Sequence, residues 1–108
     1  MAEVTITRED TDARHGRYVA RIAGIDAEAE LTFTRHRPDR VSADHTGAPE
    51  ALRGTGAAGA LVDAMVADAR KDGFRILPLC PYVQSRYAKN PDWADAFVTA
   101  PGERAELK

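Results

Sequence analysis

Over its first 46 residues the chain alternates apolar and polar positions in short runs, the period-2 pattern of strands with one buried face. Val4 and Ile6 begin the series, followed by Tyr18, Ala20 and Ile22, then Leu31 and Phe33, then Val41, Ala43 and His45. Turn-forming stretches separate these runs at Asp10 to Gly16, Gly24-Ile25-Asp26 and Arg37-Pro38-Asp39. Connections this short predict antiparallel neighbours, because a parallel partner needs a long crossover. After Pro49 the period changes. Residues 57 to 72 place Ala58, Leu61, Val62, Met65, Val66 and Ala69 on one stripe, with Asp63, Asp68, Arg70 and Lys71 off it, which predicts an amphipathic helix. Gly73 supplies its left-handed stop. Phe74 to Leu79 reads as a short apolar strand, and Pro81 suits the first turn of a second helix reaching about Lys89. Trp93 and Phe97 then predict a last short strand or a coil packed on the core. The expected order is β-β-β-β-α-β-α with a possible final strand: an α/β fold of the α+β type with a mixed sheet. The single helical crossover makes strands four and five parallel.

Composition narrows the function classes. A chain of 108 residues is read as one domain, 1–108, with room for one core. Its hydrophobic content of 44%, with 30% charged residues, is that of an ordinary globular protein. A net charge of −2, with no clustering of arginines, argues against a nucleic-acid partner. The opening MAEVTITRED has no basic segment followed by an apolar run, and no stretch is apolar for long enough to cross a bilayer. Neither a secretion signal nor a membrane association is therefore expected. The single cysteine rules out an internal disulfide framework and suits a reducing, cytoplasmic setting. Three scattered histidines and one cysteine do not have the spacing of a metal site. A monomer or weak homodimer is expected.

One stretch carries candidate chemistry. ALRGTGAAGALVDAMVADA, residues 51 to 69, spaces three glycines as G-x-G-x-x-G directly after Arg53. A dinucleotide fold places such glycines straight after the first strand of a βαβ unit, with an acidic residue at the end of the next strand. Here a meander comes first, Pro49-Glu50-Ala51-Leu52 intervenes, and the next strand ends in Pro78-Leu79-Cys80. A nucleotide P-loop would need Gly-Lys-Ser/Thr, which is missing. The physics of an anion cradle still holds. Gly54 and Gly56 free the backbone to turn its N–H groups outward, the helix adds the positive end of its dipole, and Arg53 adds charge. Ala57, Ala58, Gly59 and Ala60 keep side chains small where a ligand or a strand comes close. A tight strand-to-helix connection that binds nothing is the alternative.

Arg53-Gly54-Thr55-Gly56-Ala57-Ala58 fits the R/Q-x-x-G-x-G/A signature and resembles the GNAT superfamily of N-acetyltransferases. More closely, the run from His45 to Trp93 resembles the minimal subgroup of that superfamily, whose members are about as long as this chain. The shared features are His45-Thr46, Pro49, Leu52-Arg53-Gly54-x-Gly56, Pro78-x-Cys80-x-Tyr82-Val83 and Asn90-Pro91-x-Trp93. The resemblance implies a GNAT-like sheet whose strands four and five splay apart to take the pantetheine arm of acetyl-CoA. It implies that the amides of Gly54 to Ala58 bind the pyrophosphate and that the edge at Thr46, Gly47 and Ala48 pairs with pantetheine; Asn90, with Pro91 and Trp93, would fix the turn after the second helix or touch CoA. An acetyl group would move to an amine acceptor, with no metal. A CoA-binding module without turnover is the second reading, and a plain interaction domain the third.

Each catalytic candidate has a structural counterpart. Cys80 ends strand five and immediately precedes Pro81, which puts it at a helix N-cap, the setting of reactive thiols. It would line the acetyl site, carry the acetyl group as a nucleophile, or be a small buried core residue. His45, on the strand face shared with Val41 and Ala43, would be a satisfied core histidine or the base that deprotonates the amine. Asp44 points the other way and Glu50 lies in the loop, both as solvated groups. Tyr87, on the second helix, is read first as packing, although many members of the superfamily carry there a tyrosine that protonates the departing thiolate. Where members of the subgroup often carry a glutamate after the His-Thr pair, this chain has Gly47.

Overall fold

The computed structural model describes residues 3–103. Four strands, β1 (Val4–Asp10), β2 (His15–Ile22), β3 (Glu28–Arg37) and β4 (Arg40–Gly47), form an antiparallel meander. A 3-10 turn at Glu50–Leu52 leads into helix α1 (Ala57–Asp72), followed by β5 (Arg75–Pro78), helix α2 (Pro81–Lys89) and a second 3-10 segment, Pro91–Ala96. The five strands form one sheet in sequence order, and β5 pairs parallel with β4 through Arg40↔Arg75, Val41↔Ile76, Ser42↔Leu77 and Ala43↔Pro78. The expected order and the parallel pair are therefore present. The optional final strand is reduced to a single bridge between Ile76 and Phe97, supported by the Val98 amide donating to the Ile76 carbonyl at 2.9 Å. Pro91 starts a helical turn that consumes the residues a strand would have needed.

The sheet has two unlike faces. One carries Tyr18, Ala20, Leu31, Phe33, Ala43 and Ile76 against Leu61, Val62, Met65 and Val66 of α1, all buried. Helix α1 ends where the sequence stops it, at Gly73 with φ 81°, a left-handed residue whose amide donates to the Ala69 carbonyl. Helix α2 contributes Val83 and Tyr87 to the same core, where the Tyr87 ring stacks on Phe97 at 3.9 Å. No helix among the described residues covers the opposite face. There, Arg17 of β2 reaches Glu9 of β1 and Glu28 and Glu30 of β3 in a charged ladder. No helix among the described residues is long and apolar enough to cross a membrane, and these residues hold no cluster of metal-ligating side chains.

The β3–β4 pair carries two register shifts, one between Arg35 and Arg37 and one that changes the pattern of β4. Between Thr32 and Phe33 of β3 the register slips, so that Ala43 opposes Phe33 and His45 opposes Thr32, with Asp44 left as the extra residue of a β-bulge. Alternation breaks there. Contrary to the sequence expectation, His45 does not share a face with Val41 and Ala43; it lies exposed on the uncovered face. Thr46, opposite buried Leu31, takes the core face instead.

Candidate active site

β4 outruns its parallel partner. The last β4–β5 pair is Ala43↔Pro78, after which the Ala43 carbonyl accepts the amides of Leu79 (3.1 Å) and Cys80 (2.9 Å) as the chain turns into α2. From Asp44 to Gly47, β4 continues with β3 on one side only, because β5 ends at Pro78, which leaves a split in the sheet beyond Ala43. Cys80 stands at its apex as the N-cap of α2, 4% exposed, its thiol 3.3 Å from the hydroxyl of Thr46. The two residues, far apart in sequence, meet because the bulge turns Thr46 to the core face. His45 lies on the other side of the sheet, its ring Nε2 close to where a Gly47 side chain would begin.

The second part of the site is the entry to α1. Gly54 (φ 78°) and Gly56 (φ 83°) are both left-handed, and an added Cβ at either would meet nothing within 4 Å. Glycine is needed here for backbone conformation, not for crowding within the chain. Gly56 is the N-cap and offers no side chain to the helix, while the Thr55 hydroxyl takes the Ala57 amide (3.2 Å) and itself donates to the Leu52 carbonyl (2.6 Å). Thr55 is spent inside the turn. The N–H groups that follow in the first turn, at Ala58 and Gly59, are those an α-helix leaves without intrahelical partners. Arg53 is exposed, with no ion pair among the described residues.

Sequence reasoning missed Arg86. Its guanidinium crosses from α2 to the first turn of α1, 3.3 Å from the Cβ position of Gly59, pairs with Asp63 at 3.3 Å and lies over the Trp93 ring. The nearest neighbour of Gly59 is therefore an arginine, not a strand, and Arg86 Nε is buried without a hydrogen-bond partner among the described residues. A helical-wheel reading of α2 could have found it, one turn after Tyr82. Tyr87 is core: its hydroxyl donates to the Thr99 carbonyl at 2.7 Å, and burial holds its pKa above the ordinary value. Asn90 closes α2, its side-chain amide donating to the Arg86 carbonyl at 2.8 Å. Glu50 is exposed in the 3-10 turn. A surface hollow of about 440 Å³, lined by Arg14, Arg35, His36 and Arg37, lies at the other end of β4, away from Cys80.

β4 is thus left with an open edge beyond β5, the Cys80 thiol lies against Thr46 of that edge, and left-handed glycines open α1. No curated protein matches the chain, but the family model described as GCN5-related N-acetyl-transferase matches residues 17–96, from β2 through the last 3-10 segment. That match takes in β4, the glycine turn, Cys80 and α2, and the element order is the one that family implies. The chain belongs to the GCN5-related N-acetyl-transferase family, whose members move acetyl groups to nitrogen.

Proposed function

We propose that this protein transfers the acetyl group of acetyl-CoA to an amine. The observation that carries the reading is the open β4 edge beyond β5, with the Cys80 thiol against Thr46, together with a helix entrance opened by two left-handed glycines. The pyrophosphate would take the free amides at Ala58 and Gly59, with Arg53 adding charge. Gly54 and Gly56 hold the turn in shape, and Asn90, whose carbonyl oxygen is not used by its bond to Arg86, is a secondary contact. The pantetheine arm would pair with the open edge at Thr46, Gly47 and Ala48, and a backbone N–H there would polarise the thioester carbonyl.

In the transfer the amine lone pair attacks the thioester carbon. A C–N bond forms, the C–S bond breaks, and CoA leaves as a thiolate that ends protonated. The amine proton passes to His45, on the uncovered face. Cys80 lines the acetyl group, and we favour direct attack by the amine over a cysteine-bound intermediate, because a deprotonated amine is nucleophilic enough. Isothermal titration with acetyl-CoA, followed by thiol release over a panel of amines, tests the reading. Absence of binding would overturn it. Binding without release from any amine would favour the second reading, a CoA-binding module, which draws support from Gly47 standing where a carboxylate is common in similar proteins.

A further inference from the structure

The bulge places two consecutive polar side chains, Asp44 and His45, on the same uncovered sheet face. Asp44 is half-buried and tightly held. The Thr34 hydroxyl donates to its Oδ2 at 2.5 Å and the Ser42 hydroxyl to its Oδ1 at 2.6 Å. Ser42 is fully buried and is fixed in turn by His36 Nε2 at 2.8 Å. A buried serine in a strand, committed at both ends to hydrogen bonds, costs stability unless every partner is in place. The network therefore fixes the orientation of one carboxylate. That carboxylate has no basic partner among the described residues, whereas the neighbouring carboxylates of the same sheet, Asp10, Glu9, Glu28 and Glu30, each pair with an arginine. It also sits one residue beyond Ala43, where β4 and β5 part.

We infer that Asp44 is the anchor for the positively charged nitrogen of the acceptor, which enters over the uncovered face and meets the split from the side opposite Thr46 and Cys80. This inference rests on the acetyl-transfer reading and specifies its acceptor: a cationic amine, bound first through charge and then deprotonated by the adjacent His45. Thr34, Ser42 and His36 act through Asp44, as positioning residues. An oriented carboxylate whose hydroxyl donors are already in place gains a charge-assisted bond to an ammonium without reorganising.

The test uses 1,4-diaminobutane and n-butylamine as probes, with n-butanol as the uncharged control. In the wild-type protein, amide shifts at Thr34, Ser42, Asp44 and His45 are expected to saturate with the amines and not with the alcohol. Asp44→Asn keeps the volume and is expected to abolish those shifts, to raise the KM for amines on the order of tenfold or more, the size of a lost charge-assisted bond, and to leave acetyl-CoA affinity unchanged. Asp44→Glu should restore part of the amine dependence. Wild-type shifts that miss these residues, or an Asp44→Asn protein that binds the amines as the wild type does, would overturn the inference. The amine titration needs no turnover, so failure of the acetyl-CoA reading is read separately, from the titration with that compound.

Discussion

At the scale of single residues, Gly56 and Cys80 give the sharpest tests of the proposed reaction. Gly56 holds φ 83°, which costs an L-residue about 1–2 kcal/mol. Gly56→Val is expected to retain the fold by circular dichroism and to lose acetyl-CoA binding by titration, because a branched side chain stands in open space where a phosphate would approach. Arg53→Ala should weaken that binding by about 1–3 kcal/mol if the guanidinium meets a phosphate. Unchanged affinity in both variants would remove the turn from the site. Cys80 separates mechanisms. With direct attack, Cys80→Ala keeps most of the turnover, and no acetyl adduct builds up on the wild type incubated with acetyl-CoA alone. A single acetyl mass on the wild type, lost together with turnover in the variant, would establish a covalent route instead. The glycine turn and the thiol were readable in the sequence because each has a local signature: positive φ before a helix in one case, Cys-Pro at a helix start in the other. The partnership of Cys80 with Thr46 was not, since it depends on a register slip.

At the scale of elements, α1 could be read to the residue because an apolar stripe, an entering glycine and a closing glycine agree with one another. The bulge in β4 could not. Ser-Ala-Asp-His-Thr offers only small and polar side chains, and nothing in that run marks where alternation breaks, so His45 was placed on the wrong face. Of the two alternatives for the tail, a short strand or a coil packed on the core, the second is nearer: Pro91 favours a helical turn, and one bridge at Phe97 is all that is extended. The packing of α1 on the meander has a titratable contact. The buried Tyr18 hydroxyl donates to Asp68 at 2.8 Å, and Arg8 pairs with the same carboxylate at 3.3 Å. Burial first, and then the hydrogen bond to Asp68, raise the Tyr18 pKa above its ordinary value. A raised pKa means that the folded state holds the phenolic proton more tightly. This contribution is therefore complete below about pH 10 and is lost as the pH rises beyond it. Denaturant titrations from pH 9 upward should show stability falling in the wild type and a flatter profile in Tyr18→Phe. Equal slopes would mean that the phenol is not linked to folding.

At the scale of the whole molecule, one sheet face packs against the helices and the other carries the charged ladder. Leu61→Ala, at the centre of the α1–sheet contact, should cost about 2–5 kcal/mol in urea unfolding, whereas Arg17 substitutions on the exposed ladder should cost well under that. Acetyl-CoA at about a hundred times its Kd should add about 2.7 kcal/mol to the unfolding free energy if it binds the native state alone. The parallel pairing of β4 with β5 has a further consequence. The meander closes through short turns, but Val41 meets Ile76 only after all of α1 has been threaded between them. Contacts separated by that much chain carry the largest loop-closure cost and tend to form late. The split, with Cys80 at its apex, is therefore expected to be the last part of the molecule assembled and the first to open. Hydrogen exchange at Ile76 and Leu77 should then outpace exchange at Val19 and Leu31, and a compound that bridges the split should slow unfolding more than it speeds folding.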